Sequence, residues 1–315
     1  MEILVKAHSV TKSYSGHLAL DHVSFEIPRG SVFGLLGPNG SGKTSFIRIL
    51  TGITVPDSGE CLYNNKPVLP GYMNHIGYLP EERGLYRKMK VQEQIEYLGR
   101  LKGLDKKEAR KRTLHWLDRF GLSAWAGRKV EDLSKGMQQK VQFIATVLHN
   151  PEFLILDEPF SGFDPINAEM LKNEILQLAA SGVTVMLSSH NMNSVEELCD
   201  HIALFNKGKL ILNGNVKEVK SRYNSGMWEI SFRGNWVNFS TALWTGARIA
   251  EKSEDKGVLT AVVELLPGNS INQVLGGLLN SIELVSVREN LPSMHKIFVR
   301  EVGGNDLLNR SVLTE

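Results

Sequence analysis

Cysteine is almost absent: in 315 residues only Cys61 and Cys199 occur, far apart and in neither metal-ligand nor redox spacing. That excludes a disulfide framework, fits a reducing compartment and leaves both thiols as buried filler. Long apolar runs are also missing. No stretch approaches the roughly 18 apolar residues that cross a bilayer. Met1 to Tyr14 holds only Ile3-Leu4-Val5 as an apolar run, too short for the core of a signal peptide. Any membrane part of the function must then come from another chain. Nor is there an excess of charge, since 36 Lys and Arg against 34 Asp and Glu leave a net +2, too weak a field to name nucleic acid as a partner.

The rest of the composition, 22% charged and 42% hydrophobic, is that of a soluble globular protein. At about 150 residues per domain the length predicts two domains. Val32 to Leu36, Phe153 to Leu156 and Val183 to Leu187 are short, continuously apolar runs, each followed by a polar loop and a helical pattern. They read as buried parallel strands in α/β order. Val23 to Ile27 alternates apolar and polar residues, as in an antiparallel strand covered on one face, and predicts a small β-layer. From Val91 to Asn150 the pattern turns helical, with Val91, Ile95, Leu98 and Leu101 on one stripe and Leu114, Leu117 and Phe120 on another. The basic run Lys106 to Arg112, broken by Glu108, reads as a solvated helix face.

Asn224-Ser225-Gly226 marks a boundary. Beyond it, strands are expected at Trp228–Phe232, Leu259–Glu264 and Ile282–Val287, and helices at Ile271–Leu279 and Pro292–Val299. This second unit shows no catalytic constellation. The Gly-Gly-Asn-Asp run after Val302 reads as a frayed tail.

Three local patterns carry chemistry. Gly37-Pro38-Asn39-Gly40-Ser41-Gly42-Lys43-Thr44, with Ser45 following, fits a phosphate-binding loop set between a buried strand and a helix, Thr44 to Leu50. Glycines let backbone N–H groups turn onto phosphate oxygens, and the helix N-terminus adds its dipole. Lys43 would reach the β and γ phosphates and the Thr44 hydroxyl would sit on Mg²⁺. Leu154-Ile155-Leu156-Asp157-Glu158 places carboxylates just past a buried strand, where α/β sheets bind ligands. Asp157 is then a metal residue, and Glu158 the base that takes a proton from attacking water. Between the two patterns lies Leu133-Ser134-Lys135-Gly136-Met137-Gln138-Gln139-Lys140.

The order phosphate loop, Leu-Ser-x-Gly, Asp-Glu-Pro, Ser161-Gly162-Phe163-Asp164 and Ser188-Ser189-His190 resembles the ATP-binding cassette of ABC transporters over about the first 220 residues. The resemblance implies an α/β, P-loop NTPase cassette at 1–224, with a mixed, mainly parallel sheet, an antiparallel β-layer and a helical subdomain over about 85–150. A small α+β accessory domain would follow at 225–315. It implies ATP and Mg²⁺ as cofactors and paired cassettes, as homodimer or heterodimer. Ser134 and Gly136 would cap the γ-phosphate held by the other cassette, Asp164 would lie in the loop crossing the dimer interface, His190 would contact the γ-phosphate, and Tyr14 would stack on adenine. Tyr14 read alone is also an ordinary strand aromatic.

Three positions depart from the family pattern. After Gly77-Tyr78-Leu79-Pro80 the family usually has Gln, a metal and water contact that also couples to the membrane partner, and here it is Glu81. A carboxylate still offers oxygen to the metal but lacks the amide donor. In the signature, Lys135 and Met137 replace Gly and Gln. A cation in the first turn opposes the helix dipole by roughly 0.3–1 kcal/mol, so Lys135 either meets phosphate or points to water. The Pro80-Glu81-Glu82-Arg83-Gly84-Leu85-Tyr86 wording, the Ser134 to Lys140 signature and the C-terminal extension resemble the ATPase subunits of type-2 exporters, the sodium-extrusion and drug-resistance kind, and the Pro292 to Phe298 stretch is similar to the end of the accessory domain those proteins carry. The expected protein is thus a cytoplasmic ATPase, peripheral on the inner face of the cell membrane, driving a separate integral-membrane permease. The competing reading is a non-transport ABC ATPase acting on nucleic acid or the ribosome. Such proteins usually show two cassettes, a coiled-coil insert or zinc-binding cysteine pairs, and this chain has none of these.

Overall fold

A computed structural model describes residues 2–68, 74–82, 84–243 and 246–303. Arg83 and the tail from Gly304 on lie outside the described residues. The chain forms two compact units, Met1–Val216 and Lys217–Glu315, so the break falls ahead of the Asn224-Ser225-Gly226 run.

In the first unit, β1 (Ile3–Tyr14) and β2 (His17–Pro28) make a hairpin, and β3 (Val32–Leu36) leads through the glycine loop into α1 (Lys43–Leu50). β4 (Ser58–Tyr63) and β5 (Lys66–Pro67) return to the hairpin, giving an antiparallel layer in the order β2-β1-β4-β5. β6 (Ile76–Leu79) precedes three helices, α2 (Val91–Leu101), α3 (Lys106–Arg119) and α4 (Lys135–Val147). β7 (Phe153–Asp157), α5 (Pro165–Ala180), β8 (Thr184–Ser189), α6 (Met192–Leu198), β9 (His201–Asn206) and β10 (Lys209–Asn215) complete the unit. The second sheet runs β10-β9-β3-β8-β7-β6 and is parallel except for edge strand β10. β3 and β7 are buried at every position, because layers cover both of their faces. The core between the sheets is aromatic: Phe25 stacks on Phe33 at 5.4 Å and meets Phe46 at 4.8 Å, next to Phe205 and Ile155.

The helical segment keeps Val91, Ile95, Leu117 and Phe120 buried, but Leu101 is 61% and Leu114 46% exposed, contrary to the expected stripes. The spacing explains this. Each three-residue step turns a helix about 300°, so Leu114 lies about 120° around from Phe120. Cys61 and Cys199 are both buried and free, and burial pushes the Cys61 thiol up to about 12.

The second unit, after α7 (Val216–Arg222) at the division, contains β11 (Met227–Arg233), α8 (Trp236–Leu243), β12 (Ala247–Asp255), β13 (Val258–Leu265), α9 (Ile271–Leu278), β14 (Glu283–Glu289) and α10 (Met294–Gly303). Its sheet runs β12-β13-β11-β14 with every neighbour antiparallel. This is a split βαβ arrangement. Phe239 and Leu243 of α8 and Val274 and Leu278 of α9 pack on Ile230, Phe232 and Val263 of the sheet, with Phe232 and Phe239 stacked at 4.2 Å. α9 starts where Ser270 and Gln273 cap each other.

Candidate active site

The glycine loop leaves the buried strand β3 at Gly37, whose φ is +143°. A Cβ there would lie 2.3 Å from the Phe205 carbonyl oxygen and 2.6 Å from Ser41 Oγ, so only glycine fits. α1 begins at Lys43 with Gly42 as its left-handed N-cap, leaving the first-turn N–H groups without helix partners. The Lys43 ammonium lies within the loop, donating to the carbonyls of Gly37 at 2.7 Å and Pro38 at 3.2 Å. A cleft of about 370 Å³ opens here, lined by Tyr14, His17, Ala19, Asn39 to Ser45, Glu81, Asp157 and Glu158.

The acidic wall is built by strand register. β7 and β8 pair so that Asp157 stands opposite Ser188. The Ser188 hydroxyl donates to Asp157 Oδ1 at 2.5 Å and accepts from the Glu158 backbone N–H at 3.0 Å. Glu158 takes a left-handed φ of 48°. His190 Nδ1 lies 2.9 Å from Glu158 Oε1, with the imidazole 63% exposed and the carboxylate 12%. Burial raises the Asp157 carboxyl above its ordinary range, aided by the Glu81 and Glu158 carboxylates and opposed by the Ser188 bond and Lys43. Burial lowers the Lys43 ammonium, and the carboxylates of Glu158, Asp157 and Glu81 work against it. The cleft thus combines a cation at the loop with carboxylates at the strand end, the charge distribution that binds a phosphate chain on one side and a metal or water on the other.

The structure brings together Tyr14, Asn39, Gly40, Ser41, Gly42, Lys43, Thr44, Ser45, Glu81, Asp157 and Glu158 in one cleft. His190 joins through Glu158, and Gly37 and Pro38 through Lys43. Ser134, Lys135, Gly136, Met137 and Asp164 do not line it. Ser134 is the N-cap of α4, accepting from Met137 N–H at 3.3 Å, and Lys135 is exposed in the first turn. A Cβ on Gly136 would touch the Phe163 ring at 3.6 Å. Asp164 caps α5, where bonds from Asn167 hold its carboxyl below the usual range. Gln142 of α4 donates to the carbonyls of Pro80 and Glu82 at 3.3 and 3.4 Å, gripping the segment on both sides of Glu81.

Sequence reasoning missed His17, Ala19 and the bonds of Ser188. The two-residue turn Ser15-Gly16, which pairs Tyr14 with His17, was the available signal for the first. Nothing local marks Ser188, whose partners come from another strand.

A profile of the family described as "ABC transporter" matches residues 20–161. The chain is 41% identical over 302 residues to the uncharacterized ABC transporter ATP-binding protein YhaQ of Bacillus subtilis, covering 93% of this chain and 97% of that one. It is 34% identical to the linearmycin resistance ATP-binding protein LnrL of the same organism, over 70% of this chain and 71% of that one. Among solved structures it is similar to a dimeric ATP-binding cassette in a post-hydrolysis state bound to ADP and Pi, at TM-score 0.63 and 25% identity, over 68% of this chain and 99% of that one.

Proposed function

Because the chain belongs to the ABC transporter ATP-binding proteins, and is therefore an ATPase, we propose that it powers an exporter by closing and reopening a pair of cassettes beneath a separate membrane permease. One observation carries the site assignment: Lys43, Asp157 and Glu158 meet in a single cleft, with His190 hydrogen-bonded to Glu158. Export is supported by the resistance function named for LnrL and by the drug-resistance wording of Pro80 to Tyr86. Within the described residues no helix is long and apolar enough to cross a membrane.

On this reading ATP lies with its base against Tyr14 and its phosphates on the Gly37 to Ser45 loop. Lys43 turns from the loop carbonyls to the β and γ phosphates. Glu158 accepts the proton of the attacking water, while His190 orients that carboxylate and meets the γ-phosphate. Ser134 and Gly136 cap the γ-phosphate of the facing cassette, and Asp164 crosses the interface. Thr44, Asp157 and Glu81 are oxygen donors on one cleft. They fit Mg²⁺, an ion held by one or two carboxylates together with substrate phosphates. When bound, Mg²⁺ would neutralise phosphate charge.

The permease would dock in a groove of about 320 Å³ beside Glu81, lined by Pro80, Leu85, Leu98, Leu101, Lys102 and His149. Leu101 is exposed in this groove, and Tyr86, next in sequence to Leu85, is exposed as well. An apolar helix laid there would meet the segment that Gln142 holds, and closure would reach the membrane by that route. The protein would act on the inner face of the cell membrane, with residues 225–315 as an accessory domain. Affinity purification from native membranes, followed by transport assays on the co-purifying pair, tests the proposal. A co-purifying protein with several apolar spans is expected, and recovery with ribosomes or nucleic acid alone would overturn it.

A further inference from the structure

The fully buried Ser188 hydroxyl touches both acidic residues, yet it lies outside the cleft. A serine hydroxyl has one proton to give and lone pairs to receive, and here it uses both. Its proton goes to Asp157, a carboxylate almost wholly removed from water. Its lone pair receives the Glu158 N–H, at the residue whose left-handed backbone turns the chain out of the strand. Non-glycine residues hold that conformation only where surrounding structure fixes it. Neighbouring Ser189 faces elsewhere, its hydroxyl accepting from Asn191 N–H at 3.0 Å. The two serines are therefore not interchangeable.

We propose that Ser188 is a positioning residue for ATP hydrolysis: one hydroxyl fixes the Asp157 carboxylate and pins the Glu158 backbone, so that the metal-side and water-side carboxylates hold a constant spacing. The proposal rests on the roles given above to Asp157 and Glu158. It differs from the part played by His190, which meets Glu158 at the carboxylate end.

The test uses the full chain and measures steady-state ATP hydrolysis together with equilibrium binding of a fluorescent ATP analogue. Loss of an outer-shell contact typically costs about 10–100-fold, so Ser188→Ala should lose that much kcat. KM and analogue affinity should stay within about threefold, because the phosphate loop is untouched. Ser188→Thr, which keeps the hydroxyl, should recover most of the rate. Thr184→Val is the control, since Thr184 is equally buried at the other end of β8 and accepts from Gly30 N–H at 2.9 Å. It should retain the parent kcat. A parental kcat in Ser188→Ala, equal losses in the alanine and threonine variants, an equal loss in Thr184→Val, or a loss confined to affinity would each overturn the proposal. Glu158→Gln run in parallel separates the two failures. An active Glu158→Gln removes the underlying site reading, whereas an inactive one beside a fully active Ser188→Ala removes only the role of Ser188.

Discussion

His190 Nδ1 lies 2.9 Å from Glu158 Oε1. An exposed imidazole thus steers a largely enclosed carboxylate. His190→Ala should lower turnover by about 10²-fold, with nucleotide affinity little changed. Steady-state kinetics with ATP varied checks the split, and a loss in KM alone would argue against an orienting role.

Lys43→Ala should weaken ATP binding by more than about tenfold, the scale of a lost charge-assisted hydrogen bond. Equilibrium binding decides it, because the carbonyls of Gly37 and Pro38 lose only an internal donor. Normal affinity would contradict the cradle.

Lys135 is exposed at the first turn of α4, outside its own chain's cleft. If it meets phosphate across the dimer, Lys135→Ala should slow hydrolysis by dimers while nucleotide binding to monomers stays unchanged. Binding and turnover measured over a range of protein concentration separate the two.

A pH effect on stability follows from His149. Burial, then the charge of Lys102, holds its imidazole down to about 4 from 6.5. Between those values the unfolded chain binds a proton that the folded chain refuses, so stability falls as pH drops through that window and is fully present above it. Urea midpoints at about pH 7 and about pH 5 should differ by less in His149→Gln than in the parent.

The sequence displayed those parts of the fold whose cause is local. The glycine loop follows a continuously buried strand, and β2 alternates cleanly from Val23 to Ile27. β1 was not legible, because a left-handed Ser9 and register shifts break its period between Ala7 and Val10. β12 escaped because nearly all of it is exposed, which leaves no apolar rhythm. Leu101 and Leu114 looked like core and are not, since a step of three residues drifts off the buried face. In the site, residues brought by one loop or one strand end were readable. Ser188 was not, because its meaning lies in the pairing of β8 with β7.

The most direct test of the central claim is ATP hydrolysis by Glu158→Gln, with the bound nucleotide and the oligomeric state read on the same sample. A steady-state rate lower by at least about 10²–10⁴-fold, with ATP still bound and ATP-bound dimers accumulating, is predicted. Undiminished turnover in that variant would contradict it.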